Sequence, residues 1–311
     1  MKRILILGAN GQVGRELLDA SRPLGEIVAA TREGALADGT PCLRVDLADA
    51  GSLRAALEHA QADVVVNAAA YTAVDRAEDE PELADRVNHR AVGEIGDWAK
   101  SHGALVVHYS TDYVFDGSGF DGAGTRPYRE DDATAPLGVY GHTKLAGEHA
   151  LAASGAAHLV FRTAWVYASH GHNFLRTMLR LGAEREELRV VADQVGAPTP
   201  ARWIARTTAA AIARRAAMEA KPGGVFHLVA AGRCSWFEFA EAILRGAAER
   251  GLIVRVPRIV PIATSDYPTR ARRPAYSVLD CARLENAFGL ELADWRLGLD
   301  EVLGEIAAGS G

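Results

Sequence analysis

Short runs of consecutive apolar residues alternate along this chain with longer stretches in which apolar residues recur every three or four positions. The runs are RILILG, EIVAAT, CLRV, DVVVNAA, LVVHYST and HLVFRTAWVY. Consecutive apolar positions suit strands buried on both faces. Between the runs, Gln12 to Ala20, Ser52 to His59 and Glu82 to Ser101 read as helices. Strand–helix alternation predicts an α/β fold, a doubly wound parallel sheet with helices on both faces. Beyond about Ala168 the pattern loosens. The sequence there predicts a helix from Asn173 to Leu181, a strand at LRVVAD, a long helix from Trp203 to Met218, a strand at GVFHLV and a helix at SWFEFAEAILRGAAERG. Val254 to Pro274 holds Pro257, Pro261, Pro268 and Pro274 and reads as irregular surface. We expect a dinucleotide-binding domain over residues 1–168 and a smaller C-terminal lobe, mainly for substrate, over 169–311, with some later segments returning to the sheet.

Composition narrows the class. A net charge of -6 gives no electrostatic case for nucleic acid or an anionic membrane. Apolar stretches are broken by charge or glycine well short of a membrane span. Cys42, Cys234 and Cys281 are scattered and odd in number, which reads as reduced thiols in a cytoplasmic protein. His170 and His172 have no partner cluster, so no metal is assigned to them.

The first run ends in GANGQVG, which sets Gly8, Gly11 and Gly14 between a strand and a helix. Glycines there let the backbone turn tightly and approach a pyrophosphate, and the helix N-terminus offers free N–H groups to the negative charge. This makes the sheet Rossmann-like. Arg32, after the second strand, leans toward the 2′-phosphate of NADPH, while Glu33 keeps NADH open. Asp46 and Leu47 follow the third strand, where an adenine would lie; Asp49 and Ser52 read as helix caps. Ala68, Ala69 and Ala70 leave room for a cofactor backbone at the fourth strand's carboxyl end.

YGHTKLAGE places Tyr140 and Lys144 four apart, on one face of a helix. A free phenol has a pKa near 10, and a fixed positive charge beside it favours the phenolate. Such a tyrosine can exchange a proton with a substrate oxygen. The strand-ending hydroxyls of Ser110 and Thr111 would orient that oxygen, with Asp112 and Tyr113 facing the same cleft.

These residues, with NAAAYTAVDRAEDEPELADRVN, YSTDYVFDG, RTAWVY and RRPAYSVLD, resemble the extended short-chain dehydrogenase/reductases over nearly the whole chain. Within them the chain is similar to the branch that reduces dTDP-4-dehydro-L-rhamnose at its C4 ketone to give dTDP-L-rhamnose for cell-surface polysaccharide. The resemblance implies a Thr111, Tyr140 and Lys144 triad, with Lys144 also on the nicotinamide ribose. It implies a cofactor site of Asn10, Gly11, Gln12, Val13, Asp46, Leu47 and Ala68 to Ala70, and a nucleotide-sugar held by Thr111, Asp112, Tyr140 and Trp165. Arg273, in TRARRP, suits the substrate diphosphate. Sugar-nucleotide dehydratases carry Asp-Glu after the strand-five Thr; here Tyr113 stands in the glutamate's place, which favours simple reduction. The resemblance also allows a homodimer with Mg2+ near its interface, with Glu16 among the acids available. Two other readings stay open: a reductase or epimerase for another nucleotide-sugar, and a non-catalytic nucleotide-binding subunit of a methionine adenosyltransferase.

Overall fold

The computed structural model describes residues 2–119 and 126–309. The chain starts with β1 (Lys2–Leu7), α1 (Gln12–Ala20), β2 (Gly25–Thr31), β3 (Leu43–Arg44), α2 (Ala50–Ala60) and β4 (Val64–Asn67). Short helices α3 (Val74–Ala77) and α4 (Pro81–Asp85) lead through a π-turn at Arg86–Arg90 into α5 (Ala91–His102). Then come β5 (Leu105–Thr111), α6 (Val139–Ala153), β6 (Ala157–Thr163) and β7 (Val166–Tyr167). The later elements are α7 (Phe174–Glu184), β8 (Glu187–Val191), β9 (Val195–Gly196), β10 (Thr199–Pro200), α8 (Ala201–Ala217), β11 (Gly224–His227), β12 (Cys234–Ser235), α9 (Trp236–Glu249), β13 (Arg258–Ile262), α10 (Ala282–Phe288) and α11 (Trp295–Ala308).

Among the described residues, β11-β6-β5-β4-β1-β2-β3 form one sheet, parallel throughout. The order reverses between β1 and β4, which opens a crevice at the carboxyl ends of those strands. One face of the sheet packs Leu5, Val65, Val106 and Val160 against α2 and α5; the other packs Ile4, Ile6, Val66 and Phe161 against α1 and α8. β11 and α8 both come from beyond residue 168, so the later chain does return to the sheet.

A separate core of Tyr167, Leu175, Phe239, Ile243 and Trp295 joins α7, α9 and α11. In α9 the sequence declares its own start: Ser235 accepts from the Glu238 N–H at 3.1 Å, and the Glu238 side chain returns to the Ser235 N–H at 2.7 Å. One expectation needs correcting. The proline-rich segment is not wholly irregular, because Arg258–Ile262 pairs in parallel with β8. Pro261 fits because this two-stranded sheet gives β13 a single strand partner, so a missing N–H costs no ladder bond on the other side.

Candidate active site

Gly8 turns out of β1 with φ +80, and a Cβ on it would sit 2.8 Å from the Ala69 nitrogen. Only glycine lets the first loop lie that close to the end of β4. Gly14 serves packing: its Cβ would lie 2.1 Å from the Gly8 carbonyl oxygen. At the start of α1, Gly11 makes no side-chain cap and the first turn carries no acid, so nothing there competes with a bound anion.

A cleft of about 860 Å³ runs from this loop across the sheet edge. Gly8, Asn10, Gly11, Gln12, Val13, Arg32, Asp46, Leu47, Ala68, Ala69, Ala70, Tyr140 and Lys144 all line it. Gly14 does not, consistent with its packing position. Asn10 donates to the Ala35 carbonyl at 2.9 Å, which ties the loop after β2 to the glycine turn. Arg32 is exposed and 3.4 Å from Glu33. Asp49 and Ser52 are cap residues as expected, Asp49 accepting from the Gly51 and Ser52 N–H groups. Ser110 and Thr163 also line the cleft, and their buried hydroxyls have no protein partner. Orphaned hydroxyls, a Cβ-free approach and an uncapped helix start together fit a dinucleotide.

Of the expected proton-handling groups, Tyr140 and Lys144 line the cleft, whereas Thr111, Asp112 and Tyr113 do not; a Thr111 hydrogen bond ties that turn to the Tyr140 phenol. The Thr111 hydroxyl donates to Asp112 Oδ1 at 3.1 Å and accepts from the Tyr113 N–H at 3.1 Å. Burial pushes the Tyr140 phenol up to about 12; the Thr111 hydroxyl pulls against that shift and the Asp112 carboxylate adds to it. Burial likewise raises Asp112 to about 6, against the Ser277 and Thr111 hydroxyls, and leaves its Oδ2 without a partner. The sequence expectation was a phenol lowered by Lys144, and the geometry differs. Lys144 is buried, and its Nζ donates to the Tyr109 carbonyl at 2.6 Å and lies 3.2 Å from His108 Nε2. It is drawn onto β5 rather than toward the phenol, and its own burial brings it down to about 8.

Several residues here escaped the sequence reading. Asn88 sits in the π-turn, accepts from the Tyr71 N–H at 2.9 Å and donates to Thr143 at 3.2 Å, so it links the loop after β4 to α6. A π-turn inside a helix often marks a functional position, but the apolar pattern of Glu82 to Ser101 conceals it. Glu148 and Arg162 form a buried ion pair at 2.7 Å one turn beyond Lys144. Removing one partner of such a pair costs about 3–5 kcal/mol, because the other charge is left unmatched.

The expected substrate residues Trp165 and Arg273 lie away from the large cleft. Arg273 lines a second cavity of about 790 Å³ with Phe174, Arg185, Gln194, Trp236 and Tyr267. Its guanidinium holds Asp75 at 2.7 Å, and the Asp75 hydrogen bond offsets burial to keep Arg273 above its ordinary value. Trp165 takes φ +48, strained for a bulky side chain, and its indole stacks on Trp236 at 3.5 Å. Trp236 both packs on the core of α7, α9 and α11 and borders the second cavity.

Among the described residues no group of three His, Cys, Asp or Glu side chains could hold a metal. Glu16 is already held by His170 at 2.9 Å and Arg202 at 3.5 Å, and Arg202 also reaches Glu305. A divalent cation there would face a guanidinium.

Comparison with known proteins gives a consistent set of likenesses. The family model described as RmlD substrate binding domain matches residues 1–308. A dTDP-4-dehydrorhamnose reductase from Burkholderia thailandensis is 50% identical over 299 residues, covering 94% of this chain and 95% of that one. A protein of the same name from Escherichia coli is 44% identical over 303 residues, covering 97% of each. The crystal structure of a dTDP-4-dehydrorhamnose reductase from Bacillus anthracis in complex with NADP superposes with a TM-score of 0.83 at 31% identity, over 98% of this chain and 99% of that one.

Proposed function

The chain belongs to the RmlD substrate binding domain family, and from that premise we propose that it reduces the C4 ketone of dTDP-4-dehydro-L-rhamnose to give dTDP-L-rhamnose, with Tyr140 as the proton donor. The observation that carries the reading is that Tyr140 and Lys144 open onto the same cleft as Gly8 and Ala68 to Ala70. NADPH bound in that cleft supplies the hydride.

The chain's own groups do the rest. The N–H groups that open α1 hold the pyrophosphate, with Asn10, Gly11, Gln12 and Val13 around it. Asp46 and Leu47 border the adenine, and Arg32 faces the 2′-phosphate. Tyr140 gives its phenolic proton to the oxygen as that becomes an alkoxide. A phenol near 12 stays protonated at neutral pH yet is a far stronger acid than the alcohol it forms. Thr111 and Asp112 orient the reacting oxygen and the sugar. Arg273 meets the diphosphate beside the second cavity, and the Trp165–Trp236 stack walls the sugar-nucleotide side. Residues 1–168 thus mainly serve the cofactor and 169–311 the substrate, and the reading places the protein in the cytoplasm, where NADPH and nucleotide-sugars are made.

The test is isotopic. With deuterium on the transferring position of NADPH, the label should appear at C4 of dTDP-L-rhamnose. Cofactor oxidation without C4 label, or none with this sugar while another keto-sugar nucleotide is turned over, would overturn the assignment.

A further inference from the structure

Behind Lys144 lies a chain of buried polar groups that the chemistry above leaves unused. Asn67 on β4 and His108 on β5 are partners in the strand register, and each is 1% exposed. The Ala69 N–H donates to Asn67 Oδ1 at 3.2 Å, which fixes the amide's orientation; turning it over would set two donors against each other. Asn67 Nδ2 then faces His108 Nδ1 at 3.2 Å and can only donate. Nδ1 must therefore accept, and the ring's single proton sits on Nε2. Burial, the larger cause, holds this imidazole neutral whichever form Lys144 takes.

Nε2 lies 3.2 Å from Lys144 Nζ, which also donates to the Tyr109 carbonyl at 2.6 Å. An ammonium has no lone pair, so here it would meet an N–H with an N–H. An amine has one lone pair and can accept from Nε2 while donating to the carbonyl. We propose that His108, its tautomer set by Asn67, is a positioning residue that disfavours the ammonium form of Lys144, so that this lysine can exchange a proton under working conditions. The inference rests on the reading of Lys144 as a site residue, but its test does not use turnover.

The other groups around Lys144 do not cancel the effect. On α6, Glu148 favours the ammonium, yet its carboxylate is held by Arg162 on β6. Tyr140, one turn earlier, keeps its proton. On β5 the Tyr109 hydroxyl turns away to Thr208 at 2.8 Å. In the π-turn Asn88 bonds Thr143, and His89 faces Asp85 at 2.7 Å. Burial lowers Lys144 as well, so the test must change the hydrogen bond and leave the burial in place.

The chain has four lysines, Lys2, Lys100, Lys144 and Lys221, so lysine labelled with 13C at the ε carbon resolves them in a pH titration. Lys144 should titrate well below the other three. His108→Gln, whose carbonyl can accept from an ammonium, should raise its midpoint by about one unit, a tenfold gain in proton affinity. Lys144 titrating with the others, or an unmoved midpoint in His108→Gln, would overturn the proposal. Should the variant fail to fold, 15N shifts of His108 in the native protein decide: a proton on Nε2 supports the proposal and one on Nδ1 refutes it.

Discussion

A phenol can donate a proton only while it carries one, and burial keeps Tyr140 protonated far above neutral pH. The same burial acts on Asp112 in a way that stability can report. Its folded value of about 6 stands above the ordinary 3.8. Between those values the folded protein holds a proton that the unfolded chain has released. This group's contribution to stability therefore falls as pH rises through that window, and the ionised carboxylate remains a cost above it. Asp112→Asn should raise unfolding stability at neutral pH by about 1–3 kcal/mol and flatten the dependence in that window. Urea unfolding across a pH series measures this; a loss of stability at neutral pH would contradict it. The sequence marked Asp112 as a cleft residue from its place after Thr111. It could not show the burial that makes this carboxylate costly, nor the Ser277 hydroxyl, more than 160 positions away, that partly offsets it.

The strand-to-helix turn between β1 and α1 is the element most legible from sequence, because its chemistry is local. Gly8 needs its left-handed φ and its approach to Ala69, and any side chain disturbs both. Gly8→Ala should weaken NADPH binding about tenfold or more, since strain of about 1–3 kcal/mol falls on the loop proposed to hold the pyrophosphate. Isothermal titration checks this, and wild-type affinity would show that the loop does not touch the cofactor. The apolar runs likewise located β1 to β6 and β11; the trace is clearest for β4 and β5, which are buried along their whole length. Other elements left no such trace. β7, β9, β10 and β12 are two residues long, and β13 lies among prolines. Those strands exist through partners distant in sequence, as Arg258–Ile262 exists through β8. The π-turn at Asn88 is invisible for a related reason: one extra residue in a helical turn hardly disturbs the apolar period.

Across the fold, the glycine loop, Tyr140 and the second cavity belong to three regions that must be held in register. Two ion pairs, Arg273 with Asp75 and Arg270 with Asp79, tie the segment after β4 to the stretch that borders the second cavity, and the Ala271 N–H also donates to Asp75 at 3.1 Å. Asp75→Ala should therefore raise KM for the nucleotide-sugar several-fold with little change in NADPH affinity, since it frees the segment that carries Arg273; equal losses for both ligands would argue against that link. The sequence offered Arg273 only as a cation suited to a diphosphate, and only the fold brings it to Asp75. In the proposed function, Tyr140 delivers the proton in a cleft that binds NADPH without its help. The most direct measurement is single-turnover NADPH oxidation by Tyr140→Phe with dTDP-4-dehydro-L-rhamnose, alongside the NADPH dissociation constant of the same variant. The account predicts a rate lower by about 10²–10⁴-fold with NADPH affinity within a few-fold of wild type; a near-normal rate would contradict it.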